Sequence, residues 1–274
     1  NGKFGKASWE EVYKSIKSKL ENISKEKVCG FVGDLNNMET GYIFKEFFDR
    51  TLDSQNYESR SDNRFLDIRK RENYLFNSTI NGIEESDLIF LIGTNPRYEA
   101  TILNARIRKS YLNNNTKIIS LNDLGDLTYP YESLDGKTKT LKDIFDGNHE
   151  LSKKIIGANN PMIIIGESLL NLGSSKYFFN SIKNFLIQNK KISEEWHSFN
   201  ILSCDASTVG NYDLRIINEN NNLLKDLQNH KFDIVYLIGQ DNLNFDKKDE
   251  FIIYQGSHGD KGAEIADIIL PGSA

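Results

Sequence analysis

The sequence predicts an α/β protein built on a mostly parallel, doubly wound, Rossmann-like sheet. Three observations carry that expectation. Short runs of Val, Ile, Leu and Phe recur without the alternation of a half-exposed strand, which suits strands covered on both faces by helices. Helical patterns stand between these runs. Four runs end alike, as an apolar pair, a glycine and a polar residue: Phe31-Val32-Gly33-Asp34, Leu91-Ile92-Gly93-Thr94, Ile164-Ile165-Gly166-Glu167 and Leu237-Ile238-Gly239-Gln240. Their spacing is too long and irregular for a solenoid and suits repeated βα units, so the four turns are expected on one side of a sheet, beyond the carboxyl ends of the strands.

The elements follow in order. Ser8 can cap the amide of Glu11 while Glu11 reaches back, and Trp9, Val12, Tyr13, Ile16, Leu20 and Ile23 recur at helical spacing. A strand from Lys27 to Val32 ends at Gly33, and a helical pattern follows through Ile43, Phe44, Phe47, Phe48 and Leu52. Leu88 to Ile92 repeats the strand, a helix spans the region of Ala100 to Tyr111, and Lys117 to Leu121 is a further strand. Ser120 to Leu141, with Gly125, Pro130 and Gly136, is the most loop-like stretch and a possible subdomain border, near 122–140. Met162 to Ile165 is a strand followed by a helix from about Tyr177 to Gln188. Ile234 to Ile238, a run ending at Tyr254 and the run Ala266 to Leu270 complete the set. Asn113-Asn114-Asn115 and Asn220-Asn221-Asn222 read as exposed loops or helix ends.

Composition bounds the function. At 274 residues, with 38% hydrophobic and 27% charged residues, the chain has globular proportions. Lys plus Arg number 34 against 39 Asp plus Glu, a net charge of −5, so no global positive field exists to draw nucleic acid or an anionic lipid surface. No apolar run approaches the ~20 residues a membrane-spanning helix needs. Two cysteines, Cys29 and Cys204, are too few for a disulfide framework or for a cluster held by this chain alone, and are read as buried free thiols. The chain starts at Asn1 with no charged-then-apolar leader and reads as a piece excised from a longer protein.

Chemistry-bearing motifs are sparse. His149, His197, His230 and His258 are scattered without metal-ligand spacing. His258 differs, because Gly256-Ser257-His258-Gly259-Asp260 is a glycine-flanked loop at a strand end. No glycine turn completes a G-x-G-x-x-G, and P-loop and nucleophile-elbow motifs are missing. Arg97, Arg106 and Arg108 flank the Gly93 turn, where phosphate binding or ion pairing with Glu99 or other neighbours is open to them. Ile83-Glu84-Glu85-Ser86-Asp87 reads as a solvated helix end.

Longer stretches carry a resemblance. Glu72-Asn73-Tyr74-Leu75-Phe76-Asn77-Ser78-Thr79-Ile80, Gly82 to Asp87, Gly93-Thr94-Asn95-Pro96-Arg97-Tyr98-Glu99-Ala100 and Leu103-Asn104-Ala105-Arg106-Ile107-Arg108-Lys109 resemble the large iron–sulfur subunit of respiratory complex I. That family comprises the mitochondrial 75 kDa subunit and its bacterial counterpart in NADH-quinone oxidoreductases. Ile252 to Ala263 and Ile265 to Gly272 are similar to the same subunits, and the Ala266-Asp267 run ending at Pro271 is shared with molybdopterin oxidoreductases in general. The similarity runs from Ser8 to the end, weakest between about 53 and 70 and between 171 and 227.

The resemblance implies a molybdopterin oxidoreductase-like α/β domain over residues 1–274, preceded in the family by an amino-terminal region that holds 2Fe-2S and 4Fe-4S clusters and is not in this sequence. It implies a scaffold domain of the electron-transfer subunit, with no catalytic residue, no metal and no cofactor of its own. A vestigial pterin pocket would be formed by Gly93, Thr94, Asn95, Arg97, Gly239, Gln255, His258 and Asp260. Around Tyr57 to Phe65 the family pattern leads one to expect a metal-ligating Cys, and this sequence has Ser59-Arg60-Ser61-Asp62-Asn63 instead, where Ser59 or Ser61 could take that place but an empty, vestigial pocket is expected. Implied partners are other peripheral-arm subunits of complex I, with no nucleic acid and no membrane span. The implied location is peripheral, on the cytoplasmic face of a bacterial inner membrane or the matrix side of a mitochondrial one. Two other readings stand beside this one: a pterin-nucleotide-binding fragment of an active molybdopterin oxidoreductase, and a free-standing nucleotide-binding module.

Overall fold

The computed structural model describes residues 4–21, 23–220 and 222–273. Asn1 and Asn221, on which two of the sequence readings fall, lie outside the described residues. Ten strands are formed among the described residues: β1 Val28–Val32, β2 Tyr57–Glu58, β3 Leu88–Ile92, β4 Lys117–Ser120, β5 Glu132–Ser133, β6 Pro161–Gly166, β7 Phe199–Leu202, β8 Ile234–Ile238, β9 Phe251–Gly256 and β10 Ile268–Pro271. Every pairing between them is parallel. The α/β, parallel expectation holds, but the strands make two five-stranded sheets rather than one.

The chain divides into two compact units, residues 1–63 with 205–274, and residues 64–204. The border expected near 122–140 lies inside the second unit. Its loop is tied down along its length, because Leu121 and Gly136 donate backbone bonds to Leu91 and Leu121, and Leu127 accepts one from the Asn104 side chain. Glycine and proline marked local turns there, which sequence cannot distinguish from a boundary.

In the first unit the sheet order is β10-β9-β8-β1-β2. Alternate residues of the strands enter two apolar layers. Cys29, Phe31, Val235, Leu237, Ile252 and Tyr254 face one side; Val28, Val32, Phe44, Phe48, Ile234 and Ile253 face the other. Gly30 is required in mid-strand, since a Cβ there would lie 2.4 Å from the Phe48 ring and 2.8 Å from that of Phe44. Those rings come from the helix Met38–Glu46 and the wider π turn Phe47–Leu52 that continues it. The opening helix Trp9–Leu20 carries the anticipated capping box: Glu11 N–H donates to the Ser8 hydroxyl oxygen, and Ser8 N–H to Glu11 Oε2 at 2.8 Å.

In the second unit the order is β5-β4-β3-β6-β7. Leu88, Phe90, Ile92, Ile163 and Ile165 join one layer with Phe145, Phe179 and Phe199. Ile89, Leu91, Met162 and Ile164 join the opposite layer with Leu103 and Ile107. The helices Thr138–Phe145 and Glu150–Gly157 and the short edges β2, β5 and β7 had no distinct sequence signal. Strands this short are held by their neighbours rather than by their own pattern. No helix among the described residues is long and apolar enough to cross a membrane.

Candidate functional site

Each sheet reverses its order of strand addition at one place. In the first unit that place lies between β1 and β8, and in the second between β3 and β6. Such switch points leave a crevice beyond the strand ends where open α/β sheets hold ligands. The four glycine turns sit at these places, Gly33 and Gly239 in the first unit and Gly93 and Gly166 in the second.

The glycines are demanded by mutual approach. A Cβ on Gly33 would lie 1.9 Å from the carbonyl oxygen of Gly239, and one on Gly166 would lie 2.4 Å from that of Gly93. Gly93 and Gly239 also have φ values of +65° and +53°, a backbone region costly for other residues.

At the second-unit switch point, Thr94, Asn95 and Arg97 are satisfied internally. The buried Thr94 hydroxyl donates to Glu99 Oε2 at 2.6 Å, and Asn95 N–H donates to Glu99 Oε1 at 3.0 Å. Asn95 Oδ1 accepts from Arg97 N–H at 3.2 Å, and its Nδ2 donates to the Leu124 carbonyl at 3.1 Å. Arg97 Nη1 bonds Asp126 Oδ2 at 2.6 Å and the Asp126 carbonyl, so its ion pair is with Asp126 and not with Glu99. The Asp126 carboxyl is held below its usual value, first by the Thr128 N–H and then by Arg97. Glu99 is thus the anion of this turn, a role the sequence reading missed.

At the first-unit switch point a cleft of about 470 Å³ opens. Five carboxylates, Asp34, Asp205, Asp241, Asp260 and Glu264, line it against one ammonium, Lys261. Of the residues singled out from sequence, Gly239 and Asp260 line this cleft, as does Ser61. Gln255 lies elsewhere. Its side chain accepts the Tyr236 hydroxyl at 2.5 Å and lines a separate apolar cleft of about 780 Å³ with Ile16, Phe44 and Phe47. His258 is exposed and within bonding distance of its neighbour Ser257, at 2.9 Å. Gly256 of its loop and Gly262 just beyond it make room for Tyr254, because a Cβ on Gly256 would lie 2.4 Å from the Tyr254 hydroxyl and one on Gly262 2.4 Å from its ring, whereas Gly259 faces open space. Tyr254 donates to Asp241 Oδ2 at 3.0 Å, and burial, with the Asp241 carboxylate, pushes its hydroxyl pKa well up. The acidic lining went unnoticed in sequence because its members are dispersed over more than 200 positions; only Asp34, in a glycine junction, and Asp260, in the His258 loop, were marked.

Of the eight residues of the expected pocket, Gly93, Thr94, Asn95 and Arg97 belong to the second unit and Gly239, Gln255, His258 and Asp260 to the first. The charges around each group do not suit a pterin nucleotide. Its pyrophosphate would meet a predominantly anionic lining in one cleft, where like charges repel, and the Glu99 carboxylate in the other turn. Ser59, one candidate for a metal-ligating oxygen, is fully buried with its hydroxyl unpaired, but it does not line the cleft. Cys29 is buried, and desolvation pushes its thiol pKa up. Cys204 is exposed, contrary to the reading of both thiols as buried. Among the described residues no three His, Cys, Asp or Glu side chains group as metal ligands.

Comparison with known proteins places the chain. It is 36% identical over 290 residues to the NADH-ubiquinone oxidoreductase 75 kDa subunit of Reclinomonas americana, covering all of this chain and 42% of that protein. It is 35% identical over 275 residues to the G subunit of the NADH-quinone oxidoreductase of Rickettsia bellii, covering 39% of that protein. It is 31% identical over 276 residues to the mitochondrial NADH dehydrogenase [ubiquinone] iron-sulfur protein 1 of Solanum tuberosum, covering 37% of it. The chain thus spans about two-fifths of the length of these relatives. The family model described as molybdopterin oxidoreductase matches residues 1–274, and with two parallel sheets of the corresponding α/β type the chain belongs to the molybdopterin oxidoreductase family.

Proposed function

We propose that the chain is the scaffold domain of the iron–sulfur electron-transfer subunit of an NADH-quinone oxidoreductase, and that this segment carries no redox cofactor. The observation that carries the reading is the similarity across the whole chain to proteins named as that subunit. The acidic lining of the first-unit cleft supports it over a pterin-nucleotide-binding fragment, since it repels the anion such a fragment must hold. In the parent subunit the 2Fe-2S and 4Fe-4S clusters reside in the preceding region, and electrons pass from NADH through clusters to quinone without entering this domain. Its work is positional, against other peripheral-arm subunits, on the cytoplasmic face of a bacterial inner membrane or the matrix side of a mitochondrial one. The residues of the vestigial pocket, Gly93, Thr94, Asn95, Arg97, Gly239, Gln255, His258 and Asp260, serve the fold or its contacts.

Arg97→Ala and His258→Ala, introduced into the full-length subunit, test this. Both variants are expected to lower thermal stability or the yield of assembled complex on blue-native gels, while redox titration finds the surviving clusters at their wild-type potentials. Full assembly with loss of NADH-to-quinone turnover would overturn the proposal.

A further inference from the structure

The block most specific to the complex I resemblance, Asn95 to Lys109, is nearly all accounted for inside the second unit. Asn95, Arg97 and Glu99 close the Gly93 turn, as above. Leu103 and Ile107 are core, and the buried Asn104 donates to the Leu127 carbonyl and accepts the Tyr129 hydroxyl. What has no internal role is the outer face of the helix Thr101–Asn114 and, just before that helix, Tyr98. Tyr98 is 80% exposed, Ile102 74% and Leu112 63%.

Single exposed apolar residues are ordinary on protein surfaces. Here the register is the informative feature. Ile102, Ala105, Lys109 and Leu112 are spaced three, four and three apart and fall within roughly 80° of the helix circumference, a stripe about 15 Å long. Ala105, Lys109 and Leu112 are exposed as well. Tyr98 belongs to the separate turn Pro96–Glu99, divided from this helix by the non-helical Ala100 (φ −151°), and adds an exposed ring just before the stripe. A seam of this period is the one that packs into a second helix. The flanks carry surplus positive charge. Glu84 alone answers two cations, Arg106 Nη1 at 2.6 Å and Lys109 Nζ at 2.7 Å, and these hold its carboxyl below the usual value. Arg108 makes no ion pair among the described residues.

We propose that Tyr98 and the outer face of Thr101–Asn114 form a docking seam for an amphipathic helix of a neighbouring subunit, whose apolar stripe is flanked by carboxylates. The seam supplies two large apolar knobs, Ile102 and Leu112, with a close-approach point at Ala105 between them. Arg108, which makes no ion pair among the described residues, selects an acidic partner over a neutral or basic one, because a basic group in this place would face an unneutralised cation. The proposal rests on the reading of this chain as one subunit of a larger assembly.

The test uses the full-length subunit in its native complex, with the photo-crosslinker p-benzoylphenylalanine at position 102 or 112, and at Lys139, an exposed position of another helix, as control. Positions 102 and 112 are expected to cross-link one helical peptide of another subunit, with apolar residues at three- and four-residue spacing and Asp or Glu beside them. The control should not join that peptide. The double variant Ile102→Lys, Leu112→Lys should retain the melting temperature of the full-length subunit and lower recovery of the cross-linked partner at least tenfold. Arg108→Glu should lower it several-fold, more at low salt than at high. Cross-links to a second copy of this chain, to lipid, to a peptide without acidic flanks, or to nothing in an intact complex would overturn the docking seam. A complex that forms without this subunit would instead overturn the scaffold reading.

Discussion

Replacing Gly33 by alanine is expected to destabilise the first unit by about 3–5 kcal/mol, from the overpacking and hydrogen-bond losses that follow. The backbone at Gly33 does not have positive φ, so alanine brings no conformational strain, and the effect is purely steric. The added Cβ would lie 1.9 Å from Gly239 O and 2.7 Å from its carbonyl carbon. Ordinary carbon contacts are about 3.5 Å, so the two turns must separate by roughly 1.5 Å. That movement strains the bond from Gly33 N–H to the Ile238 carbonyl, 2.8 Å, and the one from Asn36 Nδ2 to the same oxygen, 2.9 Å. Overpacking costs about 1–3 kcal/mol, and each bond lost about 1 kcal/mol net. The melting temperature should fall by on the order of 10 °C for a protein of this size. Gly157→Ala is the matched control, since its Cβ meets nothing within 4 Å at the end of the helix Glu150–Gly157. It should be neutral or stabilising by up to about 1 kcal/mol, given alanine's helix preference. Urea unfolding followed by far-UV circular dichroism measures both. A Gly33→Ala variant within about 0.5 kcal/mol of wild type, on the ~1 kcal/mol scale of ordinary substitutions, would refute the argument that close approach of the turns selects these glycines.

Three further outcomes are expected. Asn104→Leu leaves the Leu127 carbonyl and the Tyr129 hydroxyl without their buried partner and should cost about 2–3 kcal/mol in the same unfolding experiment. Glu99→Ala removes the acceptor of Thr94 and Asn95 and should raise amide exchange in the Gly93 turn at least tenfold, read by hydrogen-exchange mass spectrometry; unchanged protection would show that the carboxylate does not hold the turn. His197 has its pKa lowered by burial, and its Nε2 is unpaired while Nδ1 lies 3.2 Å from the Phe199 carbonyl oxygen. The unfolded chain binds that proton more readily, so stability is full above the ordinary histidine pKa near 6.5 and declines as pH falls through it. Glu72, lowered first by Lys183, adds a second loss below its own ordinary value of 4.5. His197→Asn should remove the first step and keep the second, and a wild-type stability profile flat between pH 7 and 5 would contradict the assignment.

What the sequence determined by itself follows from local periodicity. Runs such as Leu88 to Ile92 and Ile234 to Ile238 are apolar at nearly every position, and only a strand covered on both faces buries all of them, so the α/β parallel class was legible. The Ser8–Glu11 capping box and the four glycine turns were legible for the same reason, since each depends on residues a few positions apart. The resemblance to complex I subunits rested likewise on contiguous blocks. Tertiary structure alone decided how the strands are shared out. Nothing in Ile238-Gly239 or Ile92-Gly93 states which other turn will lie against it, because pairing of β1 with β8 and β3 with β6 spans 206 and 73 positions respectively between Val28 and Ile234 and between Leu88 and Pro161. The site was least legible for that reason. Five carboxylates scattered from Asp34 to Glu264 become one lining only when the switch point forms, and Gln255, five residues from Asp260, turns to a different cleft. Successive strand positions face opposite sides of a sheet, so proximity in sequence assigns residues to separate surfaces as readily as to a shared one.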